Sequence, residues 1–119
     1  IGSWVAVTVA YTWIQADLTS LFTIIGIATQ GRFQTQYNQW VTAYQLAFAT
    51  SQEEEAFSKY FEHGQVKLFP GNFDKDYKVT HELIHPVTAR FVRLHVVTWE
   101  SYPALRWEVY GCPYVSTNP

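Results

Sequence analysis

The strongest constraint on this chain is a recurrence of short β-branched and aromatic runs. Turn residues interrupt them at about the 8–12-residue spacing of all-β sandwiches and barrels. The runs predict strands at Thr12–Leu18, Phe22–Thr29, Trp40–Ala49, Phe57–Phe61, Val66–Phe69, Tyr77–Leu83, Arg90–Thr98 and Leu105–Tyr110. "LRWEVY" alternates with period two, so Leu105, Trp107 and Val109 face one way and Arg106, Glu108 and Tyr110 the other. "AYQLAFAT" behaves in the same way. "FPGNFDKD" gathers Pro70, Gly71, Asn72 and Asp74 into a turn. "SQEEEAFSKYF" is the one candidate helix, and its three consecutive glutamates favour a solvated loop instead. With no internal repeat or linker, residues 1–119 read as one all-β domain of about eight antiparallel strands. A chain of 119 residues is long enough to bury a single core. Aromatic residues (18%) outnumber charged ones (15%), which excludes a disordered chain.

Charge and motifs remove several function classes. The net charge is −2 and the eight Lys and Arg are scattered, so no basic stripe is available to neutralise phosphates, and nucleic acid is not an expected partner. No apolar run reaches the length of a membrane span. The opening "IGSWVAVTVAYTWI" lacks a basic leader and runs straight into strand-like sequence, so it reads as part of the domain and not as a signal peptide. "HELIH", His81–His85, matches the zinc-protease pattern H-E-x-x-H. That chemistry needs a helix, which brings positions i and i+4 to about 5–6 Å on one face. Here Val79 and Thr80 precede the motif and Pro86 follows it, disfavouring helical geometry at His85. On a strand the two imidazoles would stand about 13 Å apart, too far to share an ion. A zinc hydrolase acting through His81, Glu82 and His85 is therefore a remote alternative. No nucleophile elbow, phosphate-cradling loop or Cys/His pair of recognisable spacing is present, so no catalytic residue is assigned. His63 and His95 read as loop and strand residues, and Asp17 as the cap of a turn. Arg90, Arg93, Arg106 and Glu108 read as cross-strand partners.

Six segments in order then point to a family: "WIQADLTSL" (Trp13–Leu21), "GIATQGR" (Gly26–Arg32), "QWVTAYQLAFAT" (Gln39–Thr50), "FPGNFDKD" (Phe69–Asp76), "HPVTARFVRLHVVTW" (His85–Trp99) and "ALRWEVYGC" (Ala104–Cys112). Together they resemble the discoidin domain, also called the coagulation factor V/VIII type C domain. The resemblance implies a jelly-roll β-barrel or sandwich whose loops at one end form a ligand site, with no catalysis. It also implies that the closing Gly-Cys pairs with a cysteine at the start of the domain. Cys112 is the only cysteine in this sequence, so its partner is absent from the chain. Trp4 falls where the family has a Trp shortly before "WIQVDL". The chain is thus expected to begin inside the family pattern, either as a fragment or as a variant lacking the opening segment.

By the same resemblance, "GRFQTQYNQ" is a ligand spike offering Arg32, Phe33, Gln34, Thr35 and Tyr37, and "WESYP" supplies Trp99, Glu100, Ser101 and Tyr102 at the same end. Exposed aromatics there could stack on sugars, enter a lipid interface or anchor a protein hot spot. The alternative that Trp99 and Tyr37 only close the end of the barrel stays open. Members that read a terminal arginine place a carboxylate between the two tryptophans. This chain has "VAVTVAYT" there, so that specificity is not carried over. The expected role is a non-catalytic extracellular or cell-surface module, part of a larger multidomain protein. It would bind a glycan or a cell-surface or matrix protein ahead of anionic phospholipid, because its loops carry a single arginine. A purely structural domain of an adhesive or clotting-type protein is the competing reading. No cofactor is assigned, and calcium enters by the resemblance alone.

Overall fold

The computed structural model describes residues 4–6, 13–31 and 38–116. Nine strands are described: β1 (Trp4–Ala6), β2 (Trp13–Gln30), β3 (Trp40–Ala49), β4 (Ser58–Lys59), β5 (Phe61–Glu62), β6 (Gln65–Val66), β7 (Phe69–Pro70), β8 (Val79–Glu100) and β9 (Leu105–Pro113). The all-β expectation holds, but its boundaries change. Two pairs of predicted strands are each one long strand, Trp13–Gln30 and Val79–Glu100. Sequence reading split them where polar residues interrupt the apolar pattern, and those interruptions are bends within continuous strands. The glutamate-rich segment is loop apart from a single 3₁₀ turn at Glu54–Ala56.

The bends create the two layers. The first half of β2 (Trp13–Asp17) lies opposite His95–Phe91 of β8, and its second half (Phe22–Thr29) opposite Ala89–Val79. Four residues of β2 separate Asp17 from Phe22, against one residue of β8 between Phe91 and Ala89. The excess is absorbed at Thr19, whose backbone is left-handed at φ 70° and whose N–H donates to Asp17 Oδ1 at 2.8 Å. Asp17 therefore caps this turn, as its short acidic side chain suggested. A second slip between Ile24 and Gly26 puts a bulge on β8 at 83–86. One layer joins β9, the second half of β2 and the first half of β8. The other joins the first half of β2, the second half of β8, β3, β4 and β7. All strand pairs are antiparallel, in the order β1-β9-β2-β8-β3-β4. The ends of that path, β1 and β4, do not pair with each other among the described residues, so the molecule is an open sandwich and not a closed barrel.

A single apolar cluster fills the space between the layers. β9 contributes Leu105, Trp107 and Val109, β3 contributes Val41, Tyr44, Leu46 and Phe48, and β8 contributes Val92, Leu94 and Val96. The predicted alternation on β9 is observed, with Arg106, Glu108 and Tyr110 half-exposed on the outer face. Tyr44 stacks on Phe69 at 5.2 Å, and burial pushes its phenol pKa upward, so the ring enters the core as a neutral group. The outer arginines are structural. Arg90 forks onto Asp17 at 2.8 and 3.0 Å. Arg93 lies between Trp13 and Phe57, 3.9 and 3.6 Å from their ring centroids, while bonding Gln15 and Glu54 at 2.8 Å. Cys112 is an exposed free thiol opposite Thr23.

These ion pairs set the response to acid. Hydrogen bonds from Arg90 lower the Asp17 pKa, and those from Arg93, Lys67 and Lys78 lower Glu54, Glu62 and Glu108. A depressed carboxylate contributes stability that is complete above its ordinary value, 3.8 for Asp and 4.5 for Glu, and is lost as pH falls through the lower folded value. Burial likewise lowers the His95 pKa, so thermal scans should show a Tm that is level above the ordinary His value of 6.5, begins to fall below it, and declines further on entering the carboxylate range. Asp17→Asn should flatten part of that decline. An identical acid profile for the variant would remove the Asp17–Arg90 pair from the explanation.

Candidate functional site

Both long strands leave one end of the sandwich, turn at the far end and return. Among the described residues, the connections 70–78 and 101–104 consequently meet at the first end, beside Gly31 and Gln39. Trp40 lies opposite Glu100 and Val41 opposite Trp99, which brings the start of β3 beside the turn after β8. A Cβ on Gly31 would stand 2.5 Å from Lys75 Cα and 2.8 Å from the Gln39 carbonyl, so only glycine lets these loops approach. Arg106 clamps them from β9, its Nε donating to the Gly31 carbonyl at 2.9 Å and its Nη2 to the Lys75 carbonyl at 3.3 Å. Gln30 Nε2 adds a bond to the Asp76 carbonyl at 2.8 Å.

Asn72 anchors the middle loop. Its Nδ2 donates to the carbonyls of Thr29 and Tyr77 at 2.9 and 2.8 Å, and its Oδ1 accepts from Thr29 Oγ1 at 2.8 Å. Its own N–H donates to the Val41 carbonyl at 2.8 Å. One buried amide thus ties the loop to β2 and β3. Above it, Asp74 Oδ1 accepts from the N–H groups of Asp76 and Tyr77 at 3.0 and 2.8 Å, curling the tip. The tip displays Phe73 (67% exposed) and Tyr77 (61%), with ring centroids 5.4 Å apart. Among the described residues these two exposed rings pack on each other and not into the core.

The turn after β8 is equally tight. Tyr102 N–H donates to the Glu100 carbonyl at 2.7 Å and Ala104 N–H to the Tyr102 carbonyl at 2.8 Å, with Ser101 left-handed at φ 64°. Glu100, Ser101 and Tyr102 are exposed. Trp99 is different: it is half-buried and packs against the core cluster. For Trp99 this is the packing that the alternative reading described, while Tyr37 lies outside the described residues. Arg32, Phe33, Gln34, Thr35 and Tyr37, and the stretch 7–12, lie outside the described residues. Phe73 and Tyr77 were passed over as site residues in the sequence, where "FPGNFDKD" registered only as turn chemistry and Tyr77 as the start of a strand, which in the structure begins at Val79. The signal available was two aromatics set among residues that demand a surface turn.

The zinc motif is extended. His81 Nε2 lies 2.6 Å from the Pro70 carbonyl and its ring meets Phe69 edge-on, while His85 is exposed in the β8 bulge. The two histidines have separate surroundings. Among the described residues no group of three or more His, Cys, Asp or Glu is placed to hold a metal ion, and no helix is long and apolar enough to cross a membrane.

Comparison with known proteins agrees with this architecture. The structure superposes on discoidin II of Dictyostelium discoideum with a TM-score of 0.77 at 29% identity, covering 96% of this chain and 43% of that one. It also matches the fold of the family 32 carbohydrate-binding module of C. perfringens NanJ, solved in complex with galactose, with a TM-score of 0.61 at 13% identity over 89% of this chain and 76% of that one. In sequence it is 35% identical over 100 residues to dog (Canis lupus familiaris) coagulation factor VIII, covering 84% of this chain. The chain spans about 4% of that relative's length and less than half of discoidin II. The F5/8 type C domain profile matches residues 2–109, in agreement with the six ordered segments and the jelly-roll sandwich: the chain belongs to the F5/8 type C domain family.

Proposed function

We propose that this domain is a non-catalytic extracellular recognition module that binds its ligand at the loop end of the sandwich, as one part of a larger adhesive or clotting-type protein. The observation that carries this reading is the group of exposed aromatics, Phe73, Tyr77 and Tyr102, on turns locked by Asn72, Asp74 and the Glu100–Ala104 backbone bonds. Fixed turns pre-organise the rings, so binding orders little that is not already ordered. Arg32, Phe33, Gln34, Thr35 and Tyr37, on the neighbouring spike, and Glu100 and Ser101 would complete the surface with hydrogen-bonding groups. Glycan or protein surfaces rank ahead of anionic phospholipid, because the cations of these loops are only Arg32, Lys75 and Lys78, Lys78 is paired with Glu108 at 3.0 Å, and membrane attraction draws on several, each worth about 1 kcal/mol.

Alanine at Phe73 or Tyr102 should weaken ligand binding about five- to tenfold while leaving Tm nearly unchanged, since neither ring is buried. A glycan array and liposome sedimentation, with and without phosphatidylserine, read the ligand class. Binding that depends strongly on the serine lipid and vanishes in Phe33→Ala would reverse the ranking. A folded domain silent on glycan, lipid and protein panels would favour the structural reading instead.

A further inference from the structure

At the end away from these loops the open edge of the sandwich holds a cleft of about 610 Å³. Among the described residues the sheet does not close here. β4 and the bulged part of β8 face each other unpaired, and Tyr60 spans the gap: its hydroxyl accepts from the His85 N–H at 3.2 Å and donates to Glu62 Oε2 at 2.9 Å. Phe48 and Ala49 of β3 make the floor, and residues 58–61 and 85–88 make the walls. Phe61 is 52% exposed and Pro86 faces the same space. Thr50, Ser58, Thr88 and His85 also line the cleft, and none of their side chains makes a hydrogen bond or ion pair among the described residues.

From this juxtaposition of an exposed ring, a proline and four unengaged hydrogen-bonding side chains, we propose that the cleft is a second ligand site, selective for a neutral saccharide. Its volume falls within the range of small-molecule pockets, about 300–1,000 Å³. A sugar ring offers an apolar face to Phe61 and Pro86 and hydroxyls to the threonines, Ser58 and His85. Charged ligands fit less well. Among the described residues no carboxylate lines the cleft, and its one lysine, Lys59, donates to Gln45 Oε1 at 2.6 Å. A peptide adding as a strand needs a row of free backbone groups. Here the Tyr60 N–H and carbonyl are bonded to Leu46 and Lys67, the His85 N–H is bonded to Tyr60, and β4 is two residues long. The inference does not depend on the loop-end reading.

The test is an amide-resolved NMR titration of the whole chain with the methyl glycosides of β-galactose, α-mannose and N-acetylglucosamine, alongside an extended apolar peptide. The expected result is saturable shifts at Thr50, Ser58, Phe61 and Thr88 with at least one glycoside, weakened about fivefold or more in Phe61→Ala and in Thr88→Val, and unchanged in Tyr102→Ala. If Phe61→Ala lowers Tm, Thr88→Val decides, because it keeps the side-chain shape and removes only the hydroxyl. Unchanged binding in that variant overturns the proposal. So do shifts confined to the loop end, no shift with any of the three sugars, or tighter binding of the peptide.

Discussion

Replacing Trp107 with alanine should remove about 3–5 kcal/mol of unfolding free energy, the usual loss for a large buried aromatic, from a domain expected to hold about 5–15 in total. Trp107 heads the fully buried side chains by size and is only 1% exposed. It projects from the middle of β9, flanked on the same face by Leu105 and Val109, into the cluster shared by both layers. Truncation leaves a cavity that strands on either side cannot collapse to fill, since each is held by its own ladder. Trp107→Phe keeps a ring in that space and should lose less than half as much. Urea unfolding followed by circular dichroism separates the two variants. A Trp107→Ala midpoint within error of the parent would mean that β9 does not seal the core.

Asn72→Ala is the second large effect, and it links stability to the proposed recognition surface. The substitution strips partners from the Thr29 and Tyr77 carbonyls and from the Thr29 hydroxyl in a buried setting. At about 1–3 kcal/mol for a buried group left unsatisfied, with some relaxation, the expected loss is about 2–4 kcal/mol. The loop carrying Phe73 and Tyr77 should lose its fixed shape before the sandwich melts. Hydrogen exchange at 73–78 should rise in Asn72→Ala under conditions where β8 and β9 stay protected. Asn72→Asp retains the acceptor from Thr29 but cannot donate to the two carbonyls, so it should behave like alanine at the loop. Exchange rising equally across the whole chain would show that Asn72 supports the core and not the loop specifically.

Exposure at the loop end was only partly readable in advance. Glu100, Ser101 and Tyr102 are exposed, whereas Trp99 packs inward: a tryptophan in "WESYP" looks the same on paper whether it faces solvent or the core. Phe73 and Tyr77 escaped notice because exposure of an aromatic is a property of the surface around it. His81 and His85 were the opposite case: the strand context and Pro86 already argued against one shared ion, and the bulge and Pro70 give the two rings different neighbours.

Local sequence determined what local chemistry can specify: β-branched runs, the period-two face of Leu105, Trp107 and Val109, the Asp17 turn, and the ordered segments that mark the family. A strand with one buried face has its pattern written in consecutive residues, because neighbouring side chains point to opposite sides. The tertiary structure decided the rest. It fused the predicted strands into β2 and β8, left the sheet open at β4, and joined Asn72 to Thr29, 43 residues away. Those outcomes depend on which distant groups meet when two layers close over one core, and no window of neighbouring residues contains that information.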